Sequence, residues 1–315
     1  MKVLLPYLAQ PRYGGWPTFT AHLHKGIRAT GHEPCLLKEG NRTETKLRNF
    51  GRKVNYQNLS AKDLVRSATD NAMLITAVDK HHHEVASELI KAGVPIVIHD
   101  PTELKPPINE LIRKAKVIVI RESMLQHIPH ATYIRHPYQR QASTNTYHRE
   151  PAASIARIDF DKHTGIIVKA NQALKKPIHI YGFCNTVYAH FKLKEIDPAW
   201  DKNYYGKFDS DDVWAAKKIA ERYTRIVDMS VIKKDGGGTQ YTFLEAADAG
   251  CALVLNTGWQ PTGLLAEYAH TVSNAEELAQ ACSTQIETRN DKAQQLLALH
   301  DAKTIAEQFI SVIQR

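Results

Sequence analysis

Apolar residues along this chain switch repeatedly between strand-like and helix-like spacing, which predicts alternating β and α elements. Val3-Leu4-Leu5 is a continuous apolar run, the mark of a buried first strand. A glycine turn follows at Gly14-Gly15, and Phe19, Leu23 and Ile27 then recur four apart on one helical face. That helix is expected to stop near Gly31, where glycine suits a left-handed cap. Further strands are predicted at 71–76, 96–98 and 116–120. A helix over 84–92 places Val85 and Leu89 on one face and ends at Gly93. The third strand runs into His99-Asp100-Pro101, and the proline forbids its continuation. Continuous apolar strands separated by helices argue for a parallel sheet covered on both faces.

Periodicity is lost over 139–153, a polar tract, and a second alternating series follows. Strands are predicted at 154–158, 178–181 and 226–229, a helix at 242–249 closed by Gly250, and a strand at 252–255. Asn274 with Glu277 three residues later has the spacing of a capping box. Ile305, Phe309 and Ile313 mark an amphipathic terminal helix. The expected organisation is an N-terminal α/β domain over 1–140, a linker over 141–153, a second α/β domain over 154–295 and a terminal helix over 296–315. Ligands of such sheets sit at the carboxyl ends of the strands, so two facing units imply a cleft.

A chain of 315 residues is long enough for two such cores. Its 43% hydrophobic and 23% charged content excludes a disordered protein. No stretch approaches the roughly 18–20 apolar residues of a membrane span. The N-terminal apolar run is too short for a signal peptide, so a cytoplasmic location is expected. Cys35, Cys184, Cys251 and Cys282 lie far apart with no CxxC pair, which reads as buried free thiols. The net charge of +8 favours contact with a polyanion without specifying one.

Four constellations could carry chemistry. Gly14-Gly15-Trp16 lies between the first strand and its helix, where backbone can approach an anion; it does not fit GxGxxG, and glycine is also ordinary in such turns. His99-Asp100 sits just past a buried strand and could hold hydroxyls or take a proton, although Asp before Pro also caps turns. Arg157 and Lys162 follow the first strand of the second series; two cations with helix amides can neutralise a leaving diphosphate, although basic pairs also occur by chance on loops. The most specific is Asp235-Gly-Gly-Gly-Thr-Gln-Tyr-Thr-Phe-Leu-Glu245. Gly237, Gly238 and Thr239 offer amides to an anion, Tyr241 and Thr242 open a helix, and Glu245 can accept both hydroxyls of a ribose. The alternative for Glu245 is a surface acid that offsets the helix dipole. His81-His82-His83 cannot chelate well, because consecutive residues do not face one way, and Asp209-Ser210-Asp211-Asp212 reads as a helix cap.

In this order the pieces resemble the GT-B glycosyltransferases of the retaining family 4 type, over nearly the whole chain. The GGW loop, the helix ending in Gly31-His32, the strand ending in His99, Arg157 with Lys162, Tyr181-Gly182, Leu244-Glu245-Ala246 and Ala249-Gly250 carry the resemblance. It implies two Rossmann-like domains facing a cleft, with the C-terminal helix crossing back to the N-terminal domain. Arg157 and Lys162 would bind diphosphate, Gly182 would start the base pocket, and Glu245 would hold the donor ribose. One departure is clear: the family's second Glu, eight residues before Glu245, is Gly237 here, with Asp235 the nearest acid.

Tyr241-Thr242-Phe243-Leu244-Glu245 is further similar to the DNA glucosyltransferases of T-even-type phages. That similarity implies a UDP-sugar donor, glucose first, and 5-hydroxymethylcytosine in duplex DNA as acceptor, in a phage-encoded enzyme. Trp16, Arg12, Lys25, Arg28, Lys46, Arg48, Arg52 and Lys53 are the candidate acceptor contacts, and Gly14 and Gly15 join the donor set. No tightly bound cofactor or essential divalent metal is expected, and a monomer is expected. Two other functions fit the same residues: transfer to a cell-surface polysaccharide, lipid or small molecule, and a non-catalytic nucleotide-binding α/β protein.

Overall fold

A computed structural model describes residues 1–9, 15–40, 44–50, 54–143, 149–208, 212–231 and 238–314, with 44–50 and 54–55 as backbone only. The chain forms two units. Unit 1 takes Met1–Arg140 with Ser210–Val213 and Leu299–Arg315; unit 2 takes Gln141–Asp209 with Trp214–Ala298.

In unit 1 the strands are β1 (Lys2–Leu8), β2 (Glu33–Glu39), β3 (Glu44–Phe50), β4 (Val54–Leu59), β5 (Ala72–Met73), β6 (Ala77–Val78), β7 (Ile96–Ile98), β8 (Val117–Val119) and β9 (Thr132–Tyr133). One sheet runs β3-β4-β2-β1-β5 with β6 also on β1, and a second runs β7-β8-β9. Among the described residues only the β3–β4 pairing is antiparallel. The bridge from Ile75 to Ile96 joins the two sheets.

The strand expected at 71–76 shrinks to β5, and β6 begins just past it, for a local reason. Ile75 turns to the other side, taking an amide bond from Val97 and giving one to the Pro95 carbonyl. On the β1 side Pro6 has no N–H to offer, so it only accepts, from the Thr76 amide. Sequence patterning also left 33–59 unassigned, and it holds three strands with mixed rather than continuous apolar content.

The helix Gly15–Ala29 buries Phe19, Leu23 and Ile27, as their spacing predicts, but also Thr20, His22, His24 and Gly26. The broader burial has a cause: the last helix, Ala302–Ile313, packs on it. A Cβ on Gly26 would lie 2.2 Å from the Ala302 carbonyl oxygen, and Phe19 meets Phe309 edge-on at 5.7 Å. His300 clips the same segment down, its Nδ1–H donating to the His136 carbonyl at 2.8 Å while its own carbonyl accepts from the Tyr138 amide at 2.7 Å.

Unit 2 is a five-stranded parallel sheet ordered β11-β10-β12-β13-β14. Its strands are β10 (Glu150–Ile155), β11 (His179–Tyr181), β12 (Tyr223–Asp228), β13 (Ala252–Asn256) and β14 (His270–Val272). The first strand starts four residues earlier than its apolar pattern suggests, because Glu150 already pairs with Tyr223 across the ladder. The Asn274 cap is present: its side chain accepts from the Glu277 amide at 2.9 Å, and Glu277 reaches back to the Ser273 amide at 2.7 Å. All four cysteines are free; Cys251 and Cys282 are buried, whereas Cys35 and Cys184 are only half-buried. Among the described residues no helix is long and apolar enough to cross a membrane.

Candidate functional site

In unit 2 three loops leave the carboxyl ends of neighbouring strands. The loop after β10 carries Arg157 and Lys162, the turn after β11 is Gly182, and the segment after β12 leads to Gly238, Thr239 and the helix Tyr241–Asp248. The Val231 amide donates to the Asp161 carbonyl at 3.2 Å, which ties the first of these loops to the third. The Trp259 indole N–H donates to the Gly238 carbonyl at 2.9 Å and fixes the approach to the helix.

Gly182 is required by close approach. Its φ is 144°, and an added Cβ would sit 1.9 Å from the Ala156 carbonyl oxygen, just ahead of Arg157. Both the strained φ and the backbone clash act against any side chain. Gly182→Ala is expected to destabilise unit 2 by about 2–4 kcal/mol and to displace the Arg157 loop. Chemical denaturation checks this; an unchanged midpoint would mean that Ala156 does not approach as described.

Arg157 is more than half exposed and folds back on its own loop. Its guanidinium lies 3.4 Å from Asp159 and 3.1 Å from Asp161. Exposed pairs of this kind contribute little, so a multiply charged anion can replace them. Lys162, half-buried in the short turn Phe160–Lys162, makes no ion pair with the described residues. The loop therefore presents one lightly held and one uncommitted cation. Asp159 shapes it, accepting from the Phe160 amide at 2.8 Å and from the Asn185 side chain at 3.0 Å.

Glu245 is buried, 4% exposed, in the second turn of its helix. This excludes the surface-acid reading. Burial and then the neighbouring Glu245 carboxylate push the Tyr241 hydroxyl up from its ordinary pKa, which puts the two side chains in each other's field. At the helix start the side chain of the N-cap residue, Gln240, makes no capping hydrogen bond. Gln240 Nε2 there is buried with no acceptor among the described residues. A helix N-terminus and two cations that follow neighbouring strand ends of one sheet suit a polyanion.

Unit 1 has its own strand-end cluster. His99, 4% exposed, follows β7; its Nε2–H donates to the Thr76 carbonyl at 2.8 Å, which leaves Nδ1 as the lone-pair side. Phe19 meets its ring edge-on at 4.8 Å. Burial lowers its pKa to about 4, so it is neutral at pH 7. Asp100 takes the capping role that its place before Pro101 allows: Oδ1 accepts from the Thr102 amide at 2.8 Å and from the Thr102 hydroxyl. Trp16 points its indole N–H at Glu103 Oε1, 2.8 Å away.

No known sequence family matches the chain, and no curated protein sequence does. Solved structures do match, over the whole chain. An α-glucosyltransferase in complex with UDP and a 13-mer DNA containing an HMU base matches with a TM-score of 0.71 at 13% identity, covering 100% of this chain and 99% of that one. Anabaena Alr3699/HepE in complex with UDP and glucose matches with a TM-score of 0.65 at 14% identity, covering 100% and 97%. The pneumococcal O-GlcNAc transferase GtfA in complex with UDP and GlcNAc matches with a TM-score of 0.68 at 10% identity, covering 100% and 98%. The fold is that of the GT-B glycosyltransferases.

Within this GT-B framework, the residues singled out from sequence fall into two strand-end sets: Arg157, Lys162, Gly182, Gly238, Thr239, Tyr241, Thr242 and Glu245 in unit 2, and Gly15, Trp16, His99 and Asp100 in unit 1. Gly14, Arg12, Arg52, Lys53, Asp235 and Gly237 lie outside the described residues, as does 209–211, and Arg48 and Lys46 are described as backbone only, in β3. Arg28 is exposed in the last turn of the first helix and Lys25 is half-buried on it. His82 bonds Asp79 at 2.8 Å, and among the described residues no group of side chains could hold a metal ion. Sequence reading missed Glu103, Arg121 and Gln240. Glu103 follows a proline in a polar stretch and reads as a surface acid; no spacing signals its burial.

His99 and His300 give unit 1 an acid limit. Both have pKa values lowered by burial from 6.5 to about 4. Between those values the unfolded chain binds protons that the folded histidines refuse. Stability is therefore full above about pH 6.5 and is lost as pH falls toward 4, by up to about 1.4 kcal/mol per histidine per pH unit. Thermal melting between pH 7 and 4.5 should show a falling Tm; a flat Tm would contradict neutral burial of these rings.

Proposed function

We propose that this protein is a glycosyltransferase that takes a UDP-sugar in unit 2 and delivers the sugar to a hydroxyl on an acceptor served by unit 1. The observation that carries the reading is the combination, at the strand ends of a GT-B unit, of Lys162 without an ion pair among the described residues, Arg157 on the same loop, and buried Glu245 on the helix that follows β12. Glu245 accepts from the ribose hydroxyls. Arg157, Lys162 and the amides at Gly238 and Thr239 hold the diphosphate. As the bond from the anomeric carbon to the β-phosphate oxygen breaks, negative charge grows on that oxygen, and these groups stabilise it. The acceptor oxygen bonds the same carbon, and its proton passes to the leaving phosphate. This route needs no strong base, which suits an Asp100 occupied as a cap and favours retention. Two cations and helix amides supply the charge neutralisation that a divalent metal supplies elsewhere.

For the acceptor, 5-hydroxymethylcytosine in duplex DNA is the first reading. Support comes from the DNA-bound α-glucosyltransferase among the fold relatives, from the Tyr241–Glu245 string and from the net charge of +8. The base would leave the stack so that its hydroxymethyl group reaches the donor carbon. Exposed Arg28 is available to phosphates, and half-buried Lys25 lies on the same helix. HepE and GtfA match the fold nearly as well, and a cell-surface polysaccharide, lipid or small-molecule acceptor is the second reading.

Transfer of label from radiolabelled UDP-glucose to a duplex containing 5-hydroxymethylcytosine, against the same duplex with cytosine, decides between them. Label in the modified duplex alone is expected. Binding to that duplex should also weaken by about 10³-fold or more between 50 and 200 mM salt if six or more phosphates are neutralised. Label that enters oligosaccharide and not DNA would sink the DNA reading while leaving the enzyme class intact.

A further inference from the structure

Glu103 is 8% exposed in a turn at the end of β7, and nothing in the donor chemistry uses it. One of its oxygens does two jobs. Oε1 accepts from the Trp16 indole at 2.8 Å and from the His99 amide at 3.1 Å. The other oxygen, Oε2, is fully buried with no hydrogen-bond partner among the described residues. Trp16 lies at the start of the first helix and His99 follows β7, so a single carboxyl oxygen ties together residues from two elements of unit 1.

An ionised carboxylate is a poor match for this setting. It would leave half of its charge on a buried oxygen that receives no donor, at a large desolvation cost. A neutral acid places its proton on Oε2 and keeps Oε1 as the shared acceptor. We propose that Glu103 is a positioning residue that carries its own proton at neutral pH and, in that form, holds Trp16 and the His99 backbone in the arrangement the acceptor requires. The acceptor-side role rests on the glycosyltransferase reading; the protonated tie does not.

In these surroundings burial outweighs the Arg121 cation, whose charge favours the ionised form of Glu103. Burial first, and then the Asp100 charge, raise the Glu103 pKa to about 8, against the pull of the Trp16, His99 and Asp100 donors. The titratable and charged groups facing it are Tyr7 on β1, His99 and Asp100 after β7, and Arg121 after β8. His99 stays neutral above about pH 4, and Tyr7 is pushed above its ordinary value of 10.0, so neither changes charge near pH 8. Ionisation of Glu103 is then the event in this cluster that an alkaline titration reads. Because the folded pKa lies above the unfolded one, the contribution of the tie is full below about pH 4.5 and is lost as pH rises through about 8.

The test reads Trp16 fluorescence against pH, isolated as the difference between wild type and Trp16→Phe, since the chain has four tryptophans. Wild type should show an emission change centred near pH 8. Glu103→Gln keeps a neutral acceptor oxygen and should abolish that change, holding the neutral-pH emission up to about pH 9.5. Glu103→Ala should show loosened Trp16 emission at every pH. In transfer assays Glu103→Gln should flatten the alkaline fall of kcat/KM, and Glu103→Ala should raise acceptor KM about tenfold with donor KM unchanged. An emission change near pH 8 that persists in Glu103→Gln would overturn the proposal. The fluorescence arm does not depend on catalysis, so a protein that transfers no sugar would still decide whether the tie is protonated.

Discussion

Alanine in place of Lys162 is expected to lower kcat for sugar transfer by about a hundredfold to a thousandfold, with donor KM changed much less. The argument is one of timing. In the bound donor the diphosphate charge is already present, but the bridging oxygen gains charge only as the sugar departs. A cation placed there contributes chiefly in the transition state. Lys162 has no ion pair to give up among the described residues, so its full charge is available at that moment. Arg157 must first leave Asp159 and Asp161, 3.4 and 3.1 Å away, so part of what it gains on the phosphate is offset by what it loses. Arg157→Ala is therefore expected to cost less than Lys162→Ala. Steady-state kinetics on the two variants give the comparison. Activity of Lys162→Ala within tenfold of wild type would contradict the assignment.

Removing the charge of Lys217 is expected to destabilise unit 2 by about 3–5 kcal/mol. Lys217 is 1% exposed in the helix Ala215–Ala220, with its ammonium 2.5 Å from Glu221 and 3.9 Å from Asp248. Those carboxylate side chains are themselves 5% and 3% exposed. One cation thus serves two buried acids, and Lys217→Met removes it from both. Asp248 is the last residue of the Glu245 helix, so this cluster couples the helix before β12 to the helix that carries Glu245. Urea unfolding should show the loss, and Lys217→Met combined with Glu221→Met should recover part of it, since one of the two buried charges goes with the second change. A loss below about 1 kcal/mol for the single variant would mean that the site hydrates freely.

The same lysine shows where sequence reading reaches its limit. Lys217 and Glu221 stand four apart on a helix, the ordinary spacing of a surface pair, and no local pattern reveals that both are buried. Glu103 is hidden for the same reason. Trp16 and His99 make it a shared acceptor from 87 and 4 residues away, and tertiary packing alone brings them together. The parts that were legible carry local physics. Continuous apolar runs gave β1, β7 and β13, the four-residue spacing gave the first and last helices, and the Asn274 cap was readable from two residues. Strand-end position singled out Arg157 and Lys162 as candidates, the glycine-rich helix start singled out Glu245, and the family resemblance singled out Gly182. The strand at β5 is shorter than its apolar run, and β6 lies outside that run, because apolar content alone cannot tell which neighbour a residue pairs with.

The central claim is that unit 2 binds a UDP-sugar and promotes loss of UDP. Release of UDP from a panel of UDP-sugars, by wild type and by Glu245→Gln, tests it most directly. Wild type should release UDP from one donor, slowly alone and much faster with the right acceptor, and Glu245→Gln should require about tenfold or more donor for the same rate. No UDP release from any donor, together with UDP affinity unaffected by Glu245→Gln, would contradict the account.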